Sequence, residues 1–236
     1  MSGRIISIIS TIFFLSLPIH GSASPPDSLN TYDSLLVHLD TIRTTQARNY
    51  KGANENNRDS ILNEAREAFT ASVVDSIVPH WMGTAWDFNG TTEKPREGMI
   101  ACGYFVSTLL RDAGLKVERV KMAQQASEKI VKALATKKEI KRFRNTDFAT
   151  FIDTIAAWGA GLYVVGLDYH VGFLYHDGKG VWFIHSSFIT PKCVVREVAA
   201  KSLILASSKY RVVGKISANN ALIKKWLRGE SVRVRR

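Results

Sequence analysis

From residue 162 to residue 216 the chain breaks into short β-branched or aromatic runs divided by turn residues, and that texture commits this part to strands. The runs are 162–167, 171–175, 181–185, 194–198 and 211–216. Asp177-Gly178-Lys179-Gly180 joins the second to the third as a hairpin turn. Upstream, apolar residues recur at helical steps instead. Leu29, Tyr32, Leu36 and Leu39 form one stripe, and Leu62, Ala65, Phe69, Val73 and Ile77 form another, which Pro79 is expected to stop. Between the stripes, 46–58 is polar and reads as a loop. Residues 81–98, punctuated by Gly, Pro and Asn-Gly, read as a long ordered loop of the kind that usually carries function. Further helices are expected from near Ile100 to a stop at Gly114, over 125–134, and over 147–158 with Gly159 closing the last. A short strand is expected over 117–120. Helices first and an antiparallel sheet after define an α+β chain.

The amino end has a different character. Arg4 precedes an apolar run over 5–17 and the small residues of His20-Gly21-Ser22-Ala23-Ser24, the pattern of a secretory signal peptide. The run is shorter than the ~20 apolar residues a spanning helix requires. Residues 1–24 are therefore read as a leader and the protein as exported, periplasmic or extracellular. The remainder is divided into a helical N-terminal extension (25–78), a catalytic domain (79–218) and a basic C-terminal tail (219–236). The formal charge of +11 falls to +10 without the leader, which takes away Arg4 and no acid. The excess is concentrated: 116–144 holds ten Lys or Arg against three Glu, and 224–236 holds six against one. Such surfaces favour anionic polymer or a membrane surface, and export argues against nucleic acid. A monomer is expected.

The chain has two cysteines, Cys102 and Cys193. In an oxidising compartment they can pair, and that bond would remove any thiol nucleophile. Left free, Cys102 lies in the first turn of an apolar helix, Ile100-Ala101-Cys102-Gly103-Tyr104-Phe105-Val106. There, unpaired N–H groups favour negative charge and lower a thiol pKa. The six histidines supply candidate bases. His20 belongs to the leader, His38 reads as a surface residue, and His80 stands at the loop entrance. With His176 opposite Val181 across the hairpin, Gly172 faces His185, and His170 shares a sheet face with His185 one diagonal step away. Gly172 leaves room for the rings. His176, at the turn, reads as solvent-exposed. His170, His185 and Cys102 as zinc ligands lack the paired spacing of structural zinc sites, so no metal is expected. Cys, His and a polar group that orients the His make up a thiol-hydrolase arrangement needing no cofactor.

Four stretches together resemble the NlpC/P60 group of papain-like cysteine peptidases. They are Trp81-Met82-Gly83-Thr84-Ala85-Trp86-Asp87-Phe88-Asn89-Gly90, Ala101-Cys102-Gly103-Tyr104-Phe105-Val106, His170-Val171-Gly172-Phe173, and His185. They follow the family's order of a GTPYxxGG loop, a DCSGFV helix start, an HVGI strand and a polar residue on the next strand. The resemblance spans 81–187. It implies a papain-like domain with helices packed on a central antiparallel sheet. It also implies Cys102 as nucleophile, His170 as base and then acid, and His185 as the orienting group. Trp86, Trp81, Gly103 and Tyr104 are expected to line the substrate site. Amide hydrolysis in cell-wall (peptidoglycan) peptides follows. A lipid acyl hydrolase or acyltransferase of the same superfamily is the second expectation, and a non-catalytic envelope binding module the third. Trp86 replaces the family's loop Tyr, Ala101 its acid, and Gly103-Tyr104 its Ser-Gly.

Overall fold

A computed structural model describes residues 31–234. The leader read over 1–24 therefore lies outside the described residues. The chain is α+β, with a six-stranded antiparallel sheet and helices on both its faces. Helix α1 (Tyr32–Gly52) is capped by Thr31, whose side chain accepts from Ser34 N. Helix α2 (Arg58–Ala71) continues through a π-helical turn (Ser72–Ile77) into α3 (Val78–Trp81). Next come α4 (Cys102–Asp112), a two-residue strand β1 (Lys116–Val117), α5 (Arg119–Ala123) and α6 (Ser127–Leu134). The sheet is built from β2 (Ile140–Arg144), β3 (Gly161–Leu167), β4 (Val171–His176), β5 (Val181–Ser186), β6 (Val194–Val198) and β7 (Tyr210–Gly214). Its order is β2-β7-β3-β4-β5-β6. Helix α7 (Phe148–Ala157) lies between β2 and β3 in the chain, and α8 (Leu203–Ser207) between β6 and β7. Helix α9 (Asn220–Arg228) leads to β8 (Ser231–Val232), which pairs in parallel with β1.

Alternation along the strands sorts the core into two layers. Leu162, Val164, Val171, Phe173, Ile184 and Val212 join the cluster beneath α4, α6 and the N-terminal helices. Tyr163, Val165, Leu167, Leu174, Phe183 and Val213 join a second cluster with Phe151 and Ile155 of α7 and Ile204 and Leu205 of α8. Burial on both faces explains why β3 is apolar throughout instead of alternating.

Several expectations are corrected. The polar stretch 46–58 is helical as far as Gly52, because α1 still buries Tyr50 there and Arg58 stacks over that ring. Pro79 does not end the second stripe. It occupies the first turn of α3, where a missing N–H costs nothing, and Trp81 extends the Phe69, Val73, Ile77 series into the core. The basic segment 116–144 contains β1, α5, α6 and the edge strand β2, and the strand expected over 117–120 gives way to α5. The basic tail expected from 219 is no tail. Asn219 caps α9 through bonds from Ala221 N and Leu222 N, and Leu222, Ile223, Trp226 and Leu227 are buried against α1 and α2. From Tyr32 on, the N-terminal helices pack into the same core cluster as α4. Gly114, at φ +90°, follows α4 as expected.

Candidate active site

The loop after α3 is a main-chain frame for the start of α4. Ile100 N donates to Ala85 O at 2.9 Å and Ala101 N to Gly90 O at 2.8 Å, while Phe105 N reaches back to Ala101 O at 2.8 Å. Ser186 Oγ donates to Ile100 O at 2.7 Å, fastening the end of β5 to the same point. Buried Arg119 completes the frame. Its guanidinium donates to Thr108 Oγ1 and to the Thr91 and Thr92 carbonyls at 2.7–2.8 Å and lies 4.9 Å above the Tyr104 ring. Cys102 is thereby the first residue of α4.

The β4–β5 ladder ends at Phe173–Ile184, whereas β5–β6 pairing runs on to Ser186–Val194. At the end of β4, past its last pair with β5, the Val171 N–H lies near enough to the Cys102 sulfur to favour its thiolate, as do the N–H groups of Gly103 and Cys102 itself. The sulfur thus lies beside the residue that follows His170. Cys102 and Cys193 are both free thiols. Burial pushes the Cys102 pKa up and outweighs the three N–H groups that lower it. The lowered thiol expected from the helix terminus is therefore corrected: the resting group is the neutral thiol.

His170 and His185 meet as the hairpin register requires. His176 pairs with Val181 and Phe173 with Ile184, which sets Gly172 opposite His185. His170 Nε2 and His185 Nδ1 are 3.0 Å apart, with the rings nearly perpendicular at 89°. Glu197, on β6, brings Oε1 to 3.2 Å from His185 Nε2. His185 stacks on Phe183 at 3.9 Å between centroids, and Phe188 packs 5.3 Å from His170. His170 Nδ1 is buried and has no hydrogen-bond partner among the described residues. Burial, then the His185 charge, holds the His170 pKa well below the ordinary histidine value; burial also lowers that of His185, against an upward pull from Glu197. The Glu197 carboxyl is lowered, first by its bond to His185.

Glu197 was missing from the residues the sequence singled out. The other candidates are placed as follows. Trp86 is half-buried, with its ring 6.2 Å from Phe188. Trp81 cannot line a cleft, because it is fully buried and donates from Nε1 to Tyr32 Oη at 2.8 Å. Gly103 is buried too; a Cβ there would run into the Ala123 carbonyl, so its role is to let α5 approach α4. Tyr104 is half-buried under Arg119. His38 is exposed, His80 packs 5.5 Å from Tyr32, and His176 is half-buried, its Nδ1 accepting from Gly178 N. A cleft of about 390 Å³ opens beside His170, lined by Leu167, Tyr169, Phe188, Ile204 and Lys209 among others. Among the described residues no group of three His, Cys, Asp or Glu side chains is arranged to hold a metal ion, and no helix is long and apolar enough to cross a membrane.

Two expected outcomes arise from this geometry. A Cβ at Gly172 would lie 2.7 Å from Phe183 Cε2 and 2.9 Å from His185 Cβ. Gly172→Ala is expected to cost about 1–3 kcal/mol by overpacking, read from denaturant midpoints, and to displace His185 from His170. Acid is expected to destabilise the fold. Both buried histidines keep folded-state pKa values below that of the unfolded chain, ~6.5. As pH falls below that value the unfolded chain takes up protons the folded one refuses. Stability then falls by up to about 1.4 kcal/mol per pH unit for each histidine. Urea titrations between pH 7.5 and 5.5 measure the slope, and His170→Gln should flatten it.

Compared with protein-family models, curated proteins and solved structures, the chain matches none of them.

Proposed function

We propose that the chain is a thiol hydrolase with a papain-like domain of NlpC/P60 type, cleaving amide bonds in cell-wall peptides outside the cytoplasm. The observation that carries this reading is the orphaned Nδ1 of His170: a buried imidazole nitrogen with no hydrogen-bond partner among the described residues, on the residue before Val171, whose backbone N–H lies near the Cys102 sulfur. Buried polar atoms are normally paired, and an exception calls for a reason. Here the reason is a proton that arrives during reaction. Because thiol and imidazole both rest neutral, the proton passes from sulfur to Nδ1 as the sulfur meets the substrate carbonyl. The N–H groups of Cys102 and Gly103 at the start of α4 favour the oxygen charge that develops. His170 then protonates the leaving amine, and water releases the acyl group from Cys102. The leaving amine is the group nearest the acid, so the cleft beside His170 receives that side of the substrate. His185 orients His170. The exposed cations of 116–144 and Lys209 give the surface affinity for anionic polymer.

A specific observation favours a second reading. Tyr169, Phe88 and Leu203 are exposed to 95%, 79% and 71%, and Tyr169 lines the cleft beside His170. Apolar side chains held in water suit a lipid acyl chain, which makes acyl transfer or hydrolysis on lipids the alternative chemistry.

One experiment separates these readings. The protein is incubated with purified cell-wall fragments and, in parallel, with phospholipid vesicles, and the products are weighed by mass spectrometry. New amine and carboxyl termini in the wall peptides support the peptidase, and fatty acid release alone would replace it with the lipid enzyme. No product from either, with Cys102 resistant to iodoacetamide and linked to Cys193, would leave a non-catalytic binding module.

A further inference from the structure

Glu197 has one acceptor-only carboxylate, and everything it touches is obliged to follow. His185 Nε2, 3.2 Å from Oε1, must carry a proton to bond it. A neutral His185 then has a bare Nδ1, which can only accept. His170 Nε2, 3.0 Å away, must therefore donate and hold the proton of that ring. A neutral His170 is left with a lone pair on Nδ1, the buried atom that has no partner. We infer that Glu197 is a positioning residue that fixes the tautomers of His185 and His170 in series, so that the lone pair of His170 emerges at Nδ1, the buried atom with no hydrogen-bond partner among the described residues.

The inference rests on the proposed thiol chemistry for its consequence but not for its geometry. In the fixed arrangement one S–H bond breaks and one Nδ1–H bond forms, leaving the electron pair on sulfur for the acyl carbon. The new imidazolium donates from Nε2 to His185, whose own Nε2–H remains on Glu197. Without the carboxylate the series can run in reverse. His185 Nδ1–H then donates to His170 Nε2, and His170 Nδ1 carries a hydrogen and cannot take the thiol's proton. The surroundings of the series favour neutral rings. Phe183 stacks on His185, Phe188 packs edge-on against His170, and the nearby Ser202 hydroxyl helps to hold the Glu197 carboxyl ionised.

The test is nitrogen-15 NMR of the full chain labelled at histidine, which separates Nδ1–H from Nε2–H rings through two-bond couplings to the ring protons. The wild type is expected to show Nε2–H for both His170 and His185. Glu197→Ala should populate the Nδ1–H form of His170 and slow carboxamidomethylation of Cys102 about 10–100-fold, the scale of loss when the partner that orients a metal-bound histidine goes. Should Glu197→Ala not fold, Glu197→Leu keeps most of the volume, offers no acceptor to His185 Nε2, and is read the same way. An Nδ1–H His170 in the wild type, or tautomers and rates unchanged in the folded variant, would overturn the inference. If the tautomers respond as expected while Cys102→Ser leaves turnover unchanged, the relay stands and the proposed hydrolase fails.

Discussion

Cys102→Ala should fold like the parent and lose amide hydrolysis by about 10³-fold or more in kcat/KM, the scale seen when a nucleophile that acts as one of a set is removed. Folding should survive because the sulfur fills a small, half-buried place at the start of α4. The frame that holds this point is made of main-chain bonds from Ile100 and Ala101 and the Ser186 hydroxyl. Cys193→Ala is the control. Cys193 shares a backbone bridge with Ala85 but contributes no side chain to the pair of histidines, so its loss should leave turnover unchanged. His170→Ala should approach the loss of Cys102→Ala, and His185→Ala should lose less. Steady-state rates on wall fragments, with circular dichroism for the fold, decide the matter. Wild-type rates in Cys102→Ala would remove the nucleophile from the mechanism.

The largest effect on stability should come from a residue far from the chemistry. Trp226 of α9 is 1% exposed, crosses Phe69 edge-to-face at 5.6 Å, and donates from Nε1 to Ala113 O at 2.6 Å. Trp226→Ala removes a large buried ring and leaves the carbonyl at the end of α4 without its donor. The expected cost is about 3–5 kcal/mol, from lost burial and the cavity together. That is a large part of the 5–15 kcal/mol that typically holds a domain. Urea unfolding followed by tryptophan fluorescence and circular dichroism measures it. A cost under about 1 kcal/mol would mean that α9 is dispensable and that the carboxyl end behaves as the tail its charge suggests.

What could be read from residues alone was what short periods encode. Strands β3 to β6, the Asp177–Gly180 turn and the meeting of His170 with His185 all follow from alternation and one turn, and they lie within a residue or two of their expected bounds. Glu197 escaped because the β5–β6 connection is an irregular loop through Ser187 and Cys193, from which no register can be counted. Strand β2 escaped because Ile140-Lys141-Arg142-Phe143-Arg144 is an edge strand that buries only Phe143. Its charges face water, so composition outweighed pattern. In α9 the same bias hid Leu222, Ile223, Trp226 and Leu227 behind their lysines. Trp81 is hidden for the opposite reason: proline reads as a full stop, whereas at the head of a helical turn it is permitted. The thiol's raised pKa was also hidden, since burial is a tertiary property and the helix terminus is a local one.

The bonds that seat Ile100 and Ala101 run to the peptide oxygens of Ala85 and Gly90, so exposed side chains decorating the loop, such as Phe88 and Asn89, can be exchanged without shifting the sulfur by much. Gly90, where a Cβ would lie 2.6 Å from Ile100 N, and buried Thr84 are fixed. A library varied at those decorations and selected on new amides should therefore retain its reactive centre, which separates the choice of what is cut from the means of cutting it.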